Sequence, residues 1–152
     1  MSTITVTVSS TVEAPAAVVY NILADYDHHR CILPPNYFTG LDVTAGGVGD
    51  GTQFTLHARS FGGKTQMHMA VTEPEPGAVL VERDVNTGLV TTFTVKPISP
   101  TESQVTFATV WQSQPGLKGA IDRYTTPFFM RMVYREEMKI LNDYARQQGS
   151  HQ

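Results

Sequence analysis

Five segments rich in β-branched and aromatic residues, separated by turn motifs, constrain the fold of this chain most strongly. They lie between Gly40 and Gln114, and the turns carry the motifs GGVGDG, FGGK, EPEPG, VNTG and KPISPTES. Val, Ile, Thr and aromatic residues favour strands, whereas Gly, Pro, Asn and Asp interrupt them. The pattern therefore predicts an antiparallel meander with one apolar face, which another element must cover.

The segments on either side of the meander predict a strand, two short helices and one long helix. Thr3–Val12 alternates apolar with polar residues, which is typical of a half-buried strand. Residues 15–26 have apolar residues at helical spacing after Pro15, and a second short helix precedes ILPP. The region from Gly116 to about Gln148 is again helical, with a kink or restart expected at Pro127. This last helix is the candidate cover for the sheet.

Composition favours a single compact domain over residues 1–152, with a flexible tail from about residue 148. Hydrophobic residues make up 41% of the chain and charged residues 16%, and the net charge is −3. Because no Lys/Arg cluster accompanies that charge, we expect no nucleic-acid partner. The single cysteine excludes an internal disulfide. No signal-peptide pattern or apolar run of membrane-spanning length is present, so we expect a cytoplasmic protein without a membrane span.

The turn chemistry also predicts a strand register. A two-residue turn at Gly62-Gly63 aligns β-branched, aromatic and methionine side chains on one face. It pairs Ala58 with Met67, Leu56 with Met69 and Phe54 with Val71, and on the polar face Arg59 with Gln66 and His57 with His68. A metal shared by the two histidines would need a third ligand, which the sequence does not offer.

The next two hairpins place one charged residue on the apolar face. A four-residue PEPG loop pairs Val71 with Leu80 and Met69 with Glu82, and a Thr87-Gly88 turn then sets Glu82 opposite Phe93. If each loop is one residue longer, Arg83 points inward instead. A buried unpaired charge costs several kcal/mol, so the inward residue needs a partner or a wet cavity. We take Glu82 as the inward residue and keep Arg83 as the alternative.

The stretch LADYDHHRCILPP, residues 23–35, holds the densest group of reactive side chains. Asp25 is three and four residues from His28 and His29, and Cys31 follows. These types could bind a metal or supply a thiolate, but no orienting acid or oxyanion loop is recognisable. Asp and His are also ordinary residues at helix ends. GGVGDGT and FGGKT lack the strand-to-helix context of nucleotide loops. We therefore predict no metal and no cofactor.

The apolar face and the last helix together favour an adaptable pocket, because methionine and aromatic side chains suit ligands of varied shape. The residues predicted to line it are Phe54, Leu56, Met67, Met69, Glu82, Phe93, Phe107, Trp111, Tyr124 and Phe128.

The order of three motifs resembles the START/SRPBCC superfamily over almost the whole chain. The motifs are the Ala-Pro-x-x-Val-aromatic start of the first helix, the Gly-x-Gly turn in GGVGDG, and the hairpin EPEPG. The resemblance implies an α+β helix-grip fold, as in polyketide cyclase/dehydrase-like proteins and the major birch pollen allergen (Bet v 1). In that fold a seven-stranded antiparallel sheet wraps around a long C-terminal helix, and two short helices follow the first strand. Residues 23–35 would then help to close the cavity.

Two functions remain open from the sequence. The first is binding or transport of a small hydrophobic ligand, such as a lipid, a sterol or a polyketide-like molecule. The second is a polyketide cyclase, aromatase or dehydratase that uses Glu82 or Arg83 with a pocket tyrosine such as Tyr124 to move protons. No catalytic motif transfers from the superfamily, and the sequence does not decide between a monomer and a homodimer.

Overall fold

The computed structural model describes residues 3–60, 63–112 and 116–150, with the side chains of residues 60, 116–125 and 149–150 left out of the description. The strands are β1 (Thr3–Val12), β2 (Phe38–Ala45), β3 (Gln53–Ser60), β4 (Gly63–Glu75), β5 (Val79–Asp84), β6 (Val90–Ser99) and β7 (Glu102–Gln112). The helices are α1 (Ala16–Ala24), α2 (Tyr26–His29) and α3 (Gly116–Ser150), and a 3-10 turn at Arg30–Ile32 follows α2.

The strands form one antiparallel sheet in the order β1-β7-β6-β5-β4-β3-β2. Its inner face and α3 share one core, in which Val105 and Phe107 of the sheet and Leu141 of the helix are fully buried. Strand β1 shows the alternation that its sequence predicts, with Ile4, Val6 and Val8 facing inward. The predicted α+β helix-grip architecture is confirmed.

The short helices begin and end where local chemistry dictates. Pro15 is the N-cap of α1, where its missing N–H costs no helical hydrogen bond. Asp25 then separates α1 from α2 in an extended conformation, and its side chain accepts a hydrogen bond from the backbone N–H of Asp27. The two helices thus turn sharply around Asp25, which directs α2 toward the interior of the grip.

The register in the three central hairpins differs from the predicted one by two residues. Leu56 pairs with Met67 and Phe54 with Met69, because Ser60 pairs with Gly63 and Arg59 with Lys64; residues 61 and 62 lie outside the described residues. Likewise Val71 pairs with Glu82 and Leu80 with Phe93. The register depends on which two residues form the tip of each turn. Adjacent glycines such as Gly62 and Gly63 allow more than one such position, so the sequence does not fix it. A shift of two residues keeps every side chain on its predicted face.

The proposed histidine neighbours on the outer face are corrected by the same shift. His57 pairs with Gln66, and His68 pairs with Thr55. The Nε2 atom of His57 instead lies 2.8 Å from Oδ2 of Asp42 on β2. The basis for a shared His57–His68 metal site is therefore lost.

Helix α3 continues through Pro127 without a restart and extends to Ser150. The described side chains of α3 before and after residue 133 differ in burial. Residues 133–145 place side chains in the core at helical spacing, including Val133, Met138 and Ala145, whereas Phe128 is 67% exposed. The flexibility expected from about residue 148 stays a prediction, and residues 151–152 lie outside the described residues.

Candidate functional site

The residues predicted to line a pocket lie mainly on the inner face of the sheet. Phe54, Leu56, Met69, Glu82, Phe93 and Phe107 are buried there, and Met67 and Trp111 are partly buried. Phe128 lies on an exposed part of α3, and the side chain of Tyr124 lies outside the described residues. Their role as ligand contacts stays a prediction.

Glu82 is the inward-facing charged residue that the sequence predicted, whereas Arg83 faces solvent. Its strand neighbours explain its setting. Glu82 pairs with Thr91, which in turn pairs with Thr109, so three polar residues on β5, β6 and β7 form one row across the inner face. The adjacent row consists of Leu80, Phe93 and Phe107. The polar row (Thr109, Thr91, Glu82) thus borders an apolar row on one side, and on its other side β5 continues with the buried Asp84.

Glu82 belongs to a buried ionic cluster, which we define as Tyr26, His29, Glu82 and Glu137. The Tyr26 hydroxyl donates a 2.6 Å hydrogen bond to Oε2 of Glu82. Nδ1 of His29 lies 3.9 Å from the same oxygen, and Nε2 of His29 lies 3.8 Å from Oε1 of Glu137. One histidine on α2 therefore stands between carboxylates from β5 and α3.

Aromatic rings fix the orientation of His29. The ring stacks on Tyr26 at a centroid distance of 4.9 Å and meets the edge of Phe93 at 5.5 Å. Its Nδ1 atom lies 2.8 Å from the backbone carbonyl oxygen of Leu23. Because a carbonyl oxygen can only accept, Nδ1 carries a hydrogen, and protonation of the ring changes only Nε2.

Burial and the mutual contacts of the ionic cluster shift the pKa values of its members. Burial alone lowers the pKa of His29, but the adjacent carboxylates of Glu137 and Glu82 outweigh this effect, and the pKa is raised. Burial raises the pKa of Glu82, and the His29 cation and the Tyr26 hydrogen bond offset this only in part. The pKa of Tyr26 is raised by burial and by the negative charge of Glu82. The cluster therefore favours retention of protons.

Hydroxyl groups continue the polar row toward α3. The hydroxyl of Thr109 lies 2.8 Å from that of Thr91 and is hydrogen-bonded to the hydroxyl of Tyr134. Burial raises the pKa of Tyr134 to about 12. Tyr134 precedes Glu137 by about one helical turn. The same face of α3 thus carries both the partner of Thr109 and the partner of His29.

The glycine-rich segment between β2 and β3 is a loop, as its sequence context predicted, and it packs against α1. The hydroxyl of Tyr20 donates a 2.6 Å hydrogen bond to Oε2 of Glu73, and Oε1 of Glu73 accepts a 2.8 Å bond from the backbone N–H of Asp50. Burial and Glu73 raise the pKa of Tyr20. Glu73 thereby joins α1 to this loop.

The remaining reactive residues of the stretch 23–35 lie near the surface. Nδ1 of His28 lies 2.7 Å from the hydroxyl of Tyr144 on α3, and Cys31 is exposed. No group of three or more His, Cys, Asp or Glu residues in the described ranges is placed to hold a metal ion. A groove of about 350 Å³ beside edge strand β2 is lined partly by Arg30, Leu33 and Phe38. This groove opens to solvent, and no residue of the ionic cluster lines it.

Sequence reasoning missed three members of the ionic cluster. Tyr26 and His29 were assigned to a helix end, and Glu137 was one of several charged residues on a long helix. The available signal was the requirement that a buried Glu82 have a partner. That requirement does not say which residue provides it.

A comparison with protein families places the chain in a known family. Residues 3–146 match the family described as polyketide cyclase / dehydrase and lipid transport. The chain belongs to this family. It lies within the START/SRPBCC superfamily that the motifs resembled. The family description thus covers both polyketide cyclase/dehydrase proteins and lipid transport.

Solved structures resemble the whole chain. The solution structure of KanY protein is 25% identical, with a TM-score of 0.82, and the match covers 96% of this chain and 99% of that one. A START superfamily protein from Mycobacterium smegmatis is 15% identical, with a TM-score of 0.74 and coverage of 95% and 98%. An aromatase/cyclase from a Streptomyces species is 16% identical, with a TM-score of 0.72 and coverage of 98% and 94%.

No curated protein sequence matches the chain significantly. Within the described ranges, no helix has both the length and the apolar character needed to cross a membrane.

Proposed function

We propose that this chain binds a small hydrophobic molecule, such as a lipid, a sterol or a polyketide-like compound, between the sheet and α3. The supporting observation is that several apolar side chains on the inner face of the sheet and on α3 are only partly buried. Met67 and Trp111 on the sheet and Met130 on the helix pack against the core but stay partly exposed, whereas Phe107 is fully buried. The family description agrees with such a ligand.

Adding bulk at one of these partly buried positions tests the proposal. The substitution Met67→Trp adds a bulky inward side chain, so we expect at least about tenfold weaker binding of an apolar fluorescent dye, or ~1.4 kcal/mol. Gln66→Trp is the matched control, because Gln66 is exposed on the opposite face of the same strand. Dye titration and native mass spectrometry provide the measurements. Equal binding by both variants, or no uptake by the wild type, would contradict the proposal.

A second candidate function is a cyclase, aromatase or dehydratase, and the ionic cluster favours it. Loss of water from a β-hydroxy ketone needs a base that takes the proton from the α-carbon. The C=C bond forms as the C–O bond breaks, and an acid gives its proton to the departing hydroxide to form water. Glu82 and His29 are acid–base groups on the inner side of the fold, at adjoining positions.

Enone formation from a panel of β-hydroxy ketones, followed by absorbance, tests the second candidate. We expect Glu82→Gln and His29→Gln to reduce kcat by about 10²-fold or more with the fold intact. Arg83→Met is the control, because Arg83 is adjacent in sequence but faces solvent. Unchanged turnover in Glu82→Gln would exclude a proton-transfer role for Glu82.

A further inference from the structure

The two edges of the sheet differ in how they are protected against pairing with another strand. Strand β2 forms one edge, and it carries Asp42 and two register shifts relative to β3, between Phe38 and Gly40 and between Val43 and Ala45. Bulges and charged side chains are devices by which edge strands avoid further pairing. The β2 edge is therefore poorly suited to a partner strand.

Strand β1 forms the other edge and has none of these devices. Its sequence, TITVTVSSTV, contains no charged residue, no proline and no glycine. All 10 of its residues pair with β7 without a register shift. A long, regular and uncharged edge strand of this kind offers a row of backbone N–H and C=O groups to another strand.

The outer edge of β1 is unpaired in the described part of the chain. Strand β7 lies on one side of β1, and the sheet ends on the other. The polar contacts of α3 in this region reach Glu13, just after the strand: Oδ1 of Asn142 accepts a 2.8 Å hydrogen bond from the backbone N–H of Glu13, and Nε of Arg146 lies 3.7 Å from Oε2 of Glu13. These contacts leave the edge of residues 3–12 unpaired.

Strand β1 is complementary to a second copy of itself. Residues directly opposite one another in an antiparallel pair point to the same face of the sheet. A two-fold axis at Thr7 sets Thr5 opposite Ser9 on the outer face and Val6 opposite Val8 on the inner face. An axis at Val8 gives the same agreement of faces. Neither register places a charge in the interface.

The outward side chains of β1 favour the same pairing. All of them are exposed and carry a hydroxyl group, and they are Thr3, Thr5, Thr7, Ser9 and Thr11. Within the chain, the hydroxyl of Ser9 already lies 2.8 Å from that of Thr106 on β7. Thr and Ser side chains opposite one another stabilise a strand pair. A second β1 would extend this row of hydroxyl groups by one strand.

The size of such an interface fits a weak, reversible dimer. Two strands of this length pair through roughly eight to ten backbone hydrogen bonds, similar to the ~10 of a typical protein interface. The area buried by edge-to-edge pairing is small, and small interfaces are typical of weak complexes. We therefore expect a Kd of about 1–100 µM.

We propose that two copies of this chain associate through antiparallel pairing of their β1 edges, which joins two seven-stranded sheets into one continuous sheet. The partner is a second copy because β1 is self-complementary about either axis. Strands β7 and β6 separate β1 from Glu82 on β5, so the interface does not involve the ionic cluster. The inference is therefore independent of the proposed ligand binding.

Sedimentation equilibrium over about 5–500 µM protein tests the association. Thr7→Lys places two lysines beside one another at the centre of the interface, so we expect the Kd to rise at least about tenfold. Thr72→Lys, on the inner strand β4, and Thr44→Lys, on the β2 edge, make the same change at other exposed positions. Both controls should keep the Kd within about twofold of the wild-type value.

Chemical cross-linking tests the register without a charged residue in the interface. The variants carry Cys31→Ser, which removes the exposed natural thiol. Thr7→Cys should form a covalent dimer with a bismaleimide linker of about 8 Å, because about 5–8 Å separates the two copies of this residue about either axis. Thr3→Cys should not, because its two copies lie more than about 25 Å apart.

Four results would overturn the inference. They are a monomeric wild type at the highest concentration, an unchanged Kd in Thr7→Lys, a dimer that only Thr44→Lys weakens, and equal cross-linking of Thr7→Cys and Thr3→Cys. A monomeric wild type whose β1 amides become protected from hydrogen exchange only after an extended peptide is added would assign this edge to a different protein. That result would also overturn pairing between two copies of the chain.

Discussion

Two consecutive histidines on α2 have different environments, and the difference explains their chemistry. His28 contacts Tyr144 near the surface, whereas His29 is 3% exposed and faces the interior. On a helix, neighbouring residues point about 100° apart, so only one of the pair can face the grip. Among the Asp, His and Cys residues of the stretch 23–35, His29 is therefore the one that is buried.

The buried His29 and Glu82 predict an unusual dependence of stability on pH. The pKa of each is raised in the folded state, relative to 6.5 for His29 and 4.5 for Glu82. The folded protein then binds more protons than the unfolded chain, so their contribution is complete below those values and is lost as pH rises through the folded-state pKa. Stability should fall by up to ~1.4 kcal/mol per pH unit for each proton involved.

Urea unfolding of the wild type and His29→Gln from about pH 6.5 to about pH 8.5 measures this effect. We expect the variant to have a shallower decline of the free energy of unfolding over that interval. His68→Gln is the control, because His68 is exposed on β4 and lies outside the ionic cluster. Parallel declines in the wild type and His29→Gln would show that His29 does not take up a proton on folding.

At the scale of elements, both backbone pairing and side chains join α1 and α2 to the grip: Asp25 forms a backbone bridge with Val48, and two tyrosines bond to carboxylates of the sheet. Glu73 on β4 accepts from Tyr20 of α1, and Glu82 on β5 accepts from Tyr26 of α2. Both tyrosines are donors and both carboxylates are acceptors on neighbouring strands. This repetition positions the two short helices over the same end of the sheet.

The loop before β3 depends on a close approach that only glycine allows. Gly49 has φ of +65°, and a Cβ atom there would lie 2.1 Å from Oε1 of Glu73. Ala at this position would therefore displace Glu73 from Tyr20 and Asp50, in addition to the backbone strain of ~1–2 kcal/mol. We expect Gly49→Ala to lower the free energy of unfolding by about 2–4 kcal/mol.

Gly51→Ala is the matched control for this prediction. Gly51 has φ of +90°, but a Cβ there meets no heavy atom within 4 Å. It should therefore cost only the backbone strain, about 1–2 kcal/mol in urea unfolding. Equal losses in the two variants would show that the contact with Glu73 adds nothing.

At the scale of the whole molecule, the candidate site joins segments that are distant in sequence. His29 follows the first strand, Glu82 lies in the middle of the meander, and Glu137 lies in the last helix. The sheet curves around α3, so its central strands and the short helices converge on the same helix face. Association into a homodimer stays a prediction that sedimentation can measure.

The sequence by itself determined the element order and the face on which most strand residues lie. Side chains alternate along a strand as a consequence of backbone geometry, so Glu82 could be placed inside before its neighbours were known. The same alternation explains why a register error of two residues left Phe54 and Leu56 on the correct face. Local chemistry also predicted the start of the first helix at Pro15, within one residue, and the loop character of GGVGDG.

The tertiary structure decided which groups meet. No periodicity along the chain relates His29 to Glu137, because their approach depends on how α2 and α3 pack against the sheet. The exact closing point of each turn and the path of α3 through Pro127 were likewise decided by long-range packing, which can outweigh local preference. Local geometry thus specified the faces of the grip, and only the packing of distant elements created the polar site between them.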